Sequence, residues 1–110
     1  MDVKQVASQL GLEEDDIYDV LELFIQTAPS DLTKMATGLN KQDTVQIGEA
    51  AHSLKGSTGA LGLMDISNHA QLIMKQSREK NIEDLIRTVP RFLNQMKDLL
   101  VELEQVLKNR

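Results

Sequence analysis

The chain has no cysteine and no tryptophan, two prolines, and three aromatic side chains, Tyr18, Phe24 and Phe92. Without cysteine there can be no disulfide, thiolate metal site or cysteine nucleophile, a usage compatible with a reducing cytosol. With so few rings, the core has to be built from Leu, Ile, Val, Met and Ala, a palette that suits helices. No apolar run approaches the ~18 residues that span a bilayer, and Met1-Asp2-Val3-Lys4 carries no signal-peptide apolar stretch, so a soluble, cytoplasmic protein is expected. Positive charge is also short. Twelve Lys and Arg face 17 Asp and Glu for a net charge of −5, with no cationic cluster, which argues against nucleic-acid binding. Nor is there a Walker-type glycine-rich loop or other nucleotide-binding pattern, so no intrinsic ATP-dependent kinase activity is expected.

What is present fits one globular domain spanning residues 1–110: hydrophobic residues make up 41% and charged residues 26%. Asp2 can cap a short helix to about Leu10, with Val3, Val6, Ala7 and Leu10 on its apolar side and Gly11 ending it. The acidic run Glu13-Glu14-Asp15-Asp16 suits the start of a long helix. Its stripe is Ile17, Leu21, Phe24, Ala28, Leu32, Met35 and Leu39, and its continuity across Pro29 predicts a kink rather than a break; Gly38 or the Asn40 region ends it. Asp43 is placed to cap a third helix, which Gly62 terminates after Leu61. A fourth helix opens at Met64 or Asp65 with Ile66, Ala70, Ile73 and Ser77 inward, and Arg78-Glu79-Lys80-Asn81 forms a polar turn. The last helix buries Ile82, Leu85, Val89, Phe92, Met96, Leu99, Leu103 and Val106, sustained through Pro90. Met35, Met64, Met74 and Met96 read as core or core-edge filler. With no strand pattern, no repeat and only short loops, the expectation is an all-α fold: an antiparallel up-and-down four-helix bundle with a short N-terminal capping helix.

The third helix holds the chemistry. At ~100° per residue, Ile47, Ala51, Leu54, Thr58 and Leu61 share one face with Ala50 beside them, so His52 points away from the core. Around it on the surface lie Gly48, Lys55, Gly56 and Gly59. Each glycine inside a helix costs about 1 kcal/mol against Ala, so three forgo about 3 kcal/mol of a total near 5–15 kcal/mol. Because they fall off the apolar stripe, the glycines are expected to clear space around His52 rather than to serve helix packing.

The run His52-Ser53-Leu54-Lys55-Gly56-Ser57, with Gly59 and Leu61-Gly62 after it, resembles the signature of histidine phosphotransfer (HPt) domains, and the similarity extends over about residues 13–107. The resemblance implies that His52 accepts a phosphoryl group through Nε2 from an aspartyl phosphate on a response-regulator receiver domain. It further implies a relay intermediate between such aspartates, working with receivers or a hybrid histidine kinase. No intrinsic cofactor is expected, Mg²⁺ being supplied by the receiver. One departure stands out: the family usually has an acidic residue after a leucine on the fourth helix, where this chain has Ile73-Met74.

An imidazole near neutral pH keeps a free ring nitrogen and needs no elaborate activating base. Lys55, one turn on, can meet phosphoryl oxygens as a point charge. Gly48, Gly56 and Gly59 would leave a flat docking surface, with Ser53 and Glu49 in the same neighbourhood; Glu49 is the candidate to hold the second ring nitrogen, although a solvated charge suits it better. Ser53 and Ser57 read as local hydrogen-bonding residues, and His69, alone on the next helix, lacks the further ligands a metal would need. The expected protein is a monomer, and the Met1 start together with a helix running almost to Arg110 favours a stand-alone module. The competing expectations are the phosphoacceptor domain of a larger chemotaxis-type histidine kinase and a non-catalytic helical adaptor.

Overall fold

A computed structural model describes residues 1–110, and every regular element in it is a helix: α1 (Val3–Leu10), α2 (Glu14–Asn40), α3 (Thr44–Ala60), α4 (Met64–Arg78) and α5 (Ile82–Lys108). Capping explains most boundaries. The Asp2 carboxylate accepts from Gln5 N–H at 3.1 Å, Asp43 from Gln46 N–H at 3.0 Å, and Asn81 from Asp84 N–H at 3.2 Å. At the start of α2 the Asp16 carboxylate accepts from Glu13 N–H at 3.3 Å. Gly11 and Gly62 take positive φ, 69° and 74°, the left-handed turn that ends α1 and follows α3.

α2, α3, α4 and α5 pack each against the next, and α5 closes back on α2, so the four long helices ring one core while α1 lies on α2. Twenty apolar residues make that core, with Ile17, Leu21, Met35, Ile47, Leu54, Leu85 and Met96 fully enclosed. Most of the expected stripes are buried: on α3 Ile47, Ala50, Ala51, Leu54 and Thr58, with Leu61 just after it, and on α5 Leu85 through Leu103, while the expected end residues of that stripe, Ile82 and Val106, are only partly buried. Thr58 is tolerated inside because its hydroxyl donates to the Leu54 carbonyl at 2.7 Å. No helix is long and apolar enough to cross a membrane.

As expected, α2 and α5 run on through Pro29 and Pro90, both of which are exposed on the outer face. Several local expectations are corrected. Gly38 does not end α2; it is buried where α2 meets α3, and a Cβ there would lie 3.0 Å from Ile47 Cγ1. α2 ends at Asn40, the other end point expected, and the chain then turns at Gln42, with φ 54°. Leu10 and Met64 are exposed, at 38% and 55%, because α1 buries only Val3 and Ala7 and α4 has just begun at Met64. On α4 the inward face is wider and more polar than expected: Ser67 and Gln76 are buried along with Ala70, Ile73 and Ser77. Arg78 belongs to the last turn of α4, and the polar turn starts after it.

Candidate functional site

His52 lies in the middle of α3, on the face turned away from Ile47 and Leu54, and is exposed. The protein has two histidines, and only His69 has a hydrogen-bonded ring, its Nδ1 lying 2.8 Å from Gln95 Oε1. The His52 imidazole is thus free at both nitrogens. It lines an open groove of about 510 Å³ between the first half of α3 and the end of α4, with Thr44, Val45, Gly48 and Glu49 on one side and Met74, Ser77 and Arg78 on the other.

The structure separates the three glycines. Beside Gly56 there is nothing within 4 Å of where a Cβ would stand, so it leaves open surface one turn from His52. Gly48 and Gly59 are closer to α4 than the sequence pattern implied: a Cβ on Gly48 would come 3.2 Å from Ser77 Cβ, and one on Gly59 would come 3.3 Å from Ser67 Oγ. Those two glycines let α3 and α4 approach closely, so helix packing does account for them. α3 is flanked by α2 on one side and α4 on the other, and its buried arc is therefore wider than its apolar stripe.

The neighbours of His52 are fixed by contacts that reach across helices. Ser53 Oγ donates to Asp31 Oδ2 on α2 at 2.7 Å. Glu49 pairs with Lys34 of α2 at 3.7 Å, with both side chains largely exposed; the carboxylate is directed to that cation and not to the imidazole. Lys55 is half-buried, and its backbone carbonyl accepts from Ser67 Oγ of α4 at 3.1 Å. Ser57 donates to the Leu54 carbonyl at 3.2 Å, the local role expected of it. Sequence reasoning passed over Asp31, Lys34 and Ser67, and it read Ser77 as inward and Arg78 as part of a turn without bringing either to His52. At about 100° per residue Ser77 falls between Ile73 and Ala70 on α4, with Ser67 about 60° beyond Ala70, which was the available signal for a wider packed face.

Chemically, an exposed imidazole with neither nitrogen engaged can act as a nucleophile toward a bound partner, with cations on both sides. No cluster of three or more His, Asp or Glu side chains suited to a metal ion is present.

The chain matches the family model described as "Hpt domain" over residues 19–106. Its backbone superposes on the HPT domain of the Hpt sensor hybrid histidine kinase from Shewanella with a TM-score of 0.88 at 18% identity, covering 100% of this chain and 95% of that one. It also superposes on histidine-containing phosphotransfer protein B (HptB) from Pseudomonas aeruginosa PAO1, with a TM-score of 0.75 at 21% identity over 99% and 91% of the two chains. No curated protein matches the chain significantly.

Proposed function

This chain belongs to the Hpt domain family, whose role is phosphotransfer in phosphorelays, and on that premise we propose that His52 is its phosphoacceptor. The observation that carries the assignment is an exposed imidazole, free at both nitrogens, on a helix face kept open by Gly56. An incoming aspartyl phosphate presents its phosphorus to Nε2. The P–N bond forms as the P–O bond to the aspartate breaks, and the carboxylate leaves with the bonding electrons. The proton on Nδ1 stays on the ring or passes to water, and the reverse sequence delivers the group to a second aspartate.

The partners are response-regulator receiver domains, alone or within a hybrid histidine kinase, and they bring the Mg²⁺ and the acidic pocket. Lys55 neutralises charge on the phosphoryl oxygens as the transferring group crosses between the two proteins. Gly56 admits the receiver closely. Ser53 and Glu49, tied to α2 through Asp31 and Lys34, present ordered polar groups at the edge of the docking face. Gly48 and Gly59 contribute through the closeness of α3 to α4, which sets the surface the receiver meets. The protein does this as a cytoplasmic monomer with no ATP site of its own.

The test is to mix the protein with a phosphorylated receiver and Mg²⁺ and to follow acid-labile, base-stable phosphate. Wild type should become labelled and His52→Gln should not. Labelling of the variant to the wild-type level would remove His52 from the role.

A further inference from the structure

Lys55 and Arg78 stand near His52 with no acidic partner. The ion pairs of the molecule are Met1 amino with Glu102, Lys34 with Glu49, Arg87 with Asp84 and Arg110 with Asp15, and neither Lys55 nor Arg78 enters one. The two cations sit differently. Lys55 lies toward the C-terminal end of α3, outside the groove that His52 lines, whereas Arg78 comes from α4 and lines that groove. Glu49 is the only carboxylate lining the groove, and Lys34 already holds it.

A cation at the end of a helix is favoured by the helix dipole, which would account for Arg78 alone. It does not account for its neighbour. Ser77 is 93% buried, lines the same groove, and its hydroxyl has no hydrogen-bond partner, the one buried side-chain polar atom in the protein left so. An unmet buried hydroxyl is costly, and a hydroxyl can rotate to donate wherever an acceptor arrives. The Ser77 oxygen is enclosed beside Gly48 and reaches the groove only by turning about the Cα–Cβ bond; with that turn, a free guanidinium at the rim and a free hydroxyl at the floor are both met by one kind of occupant, an anion with several acceptor oxygens.

We infer that Arg78 and Ser77 form a resting cradle for the phosphoryl group on His52, holding it in the groove of this chain while no receiver is bound. The inference rests on His52 being the phosphoacceptor. It divides the labour between the two cations: Lys55 serves the transfer across to the partner, and Arg78 stabilises the stored group. Arg78 therefore acts on the equilibrium between phosphohistidine and aspartyl phosphate. Met74 beside it supplies an apolar wall that limits water around the ion pair.

The experiment compares wild type with Arg78→Gln, Arg78→Lys and Ser77→Ala. Each is incubated with a phosphorylated receiver and Mg²⁺, at concentrations where little complex forms, until the phosphoryl distribution stops changing. Arg78→Gln should shift the distribution toward the receiver by about three- to tenfold, the scale of one partly exposed charge-assisted contact, with Arg78→Lys recovering part of it. Ser77→Ala should shift it the same way by a smaller factor, about twofold. Docking that is merely slower would leave an equilibrium distribution unmoved. In parallel, the Arg78 Nε–H resonance should move when wild type is phosphorylated with phosphoramidate. If wild type is labelled at His52 while Arg78→Gln keeps the wild-type distribution and the Nε–H resonance stays still, the cradle is wrong. If wild type takes no label, it is the phosphoacceptor assignment that fails.

Discussion

At the scale of single residues, Gly56 is where function and stability pull apart most cleanly. A methyl group there meets nothing, and the position is an ordinary helical one, so Gly56→Ala should raise stability by about 0.5–1 kcal/mol through backbone entropy and propensity. If the glycine is kept for close approach of a receiver, the same variant should lose transfer rate, and a larger replacement such as Gly56→Leu should lose more. Thermal unfolding and a transfer time course on one sample decide it: a faster or unchanged transfer would show that the opening is not needed. Gly48 cannot serve this purpose, since its added methyl would press on Ser77 and alter packing as well as surface. Helical spacing alone groups His52, Lys55 and Gly56 as a candidate site in the sequence. It does not include Arg78, which is distant in the chain and meets the groove only because α4 runs back along α3 and ends beside it.

At the scale of elements, the apolar stripes were readable since a buried helix face must repeat every three to four residues; the stripe of α3 is buried as expected, and that of α5 is buried except at its two ends, Ile82 and Val106, which are partly exposed. The polar part of the buried face of α4 was only partly readable. Ser77 was read as inward, but Ser67 and Gln76 are buried as well, and polarity in a sequence argues for solvent unless the partner is known. Thr88 Oγ1 reaches Gln76 Oε1 at 2.6 Å and Ser67 Oγ reaches the Lys55 carbonyl at 3.1 Å, so two of those side chains are satisfied by atoms 12 residues away. The Ser67 contact ties α4 to the turn that carries Lys55, beside the close approach at Gly59. Ser67→Ala should therefore cost about 1 kcal/mol in urea unfolding, the net worth of a partly buried hydrogen bond. A value indistinguishable from zero would mean that the α3–α4 contact is held by its small residues alone.

At the scale of the molecule, helix lengths explain why a four-helix bundle carries a fifth helix. At ~1.5 Å per residue the 27 residues of α2 and of α5 rise about 40 Å, which accounts for the 41 Å long axis, whereas the 17 residues of α3 reach only about 25 Å. The start of α2 and the end of α5 thus project beyond α3 and α4, and α1 covers part of what they would expose, burying Val3 and Ala7, with Val3 near Tyr18 and Val106. The same end is tied by the Met1 amino group to Glu102 at 3.3 Å and by Arg110, which reaches Asp15 at 2.9 Å and stacks 4.5 Å over the Tyr18 ring. His52 lies about half-way along α3, which starts at the opposite end of α2. Cap and site are therefore separable. Removing residues 1–12 should lower stability by about 2 kcal/mol, the scale of two small buried side chains and their partners, while leaving the phosphoryl distribution between His52 and a receiver at its wild-type value. Thermal melts and the equilibrium labelling assay on the truncated and full chains test both halves. A truncated protein that melts as a single cooperative unit yet shows a shifted distribution would mean that α1 is coupled to the site through the bundle, and the view of it as a cover for the exposed ends of α2 and α5 would have to be abandoned.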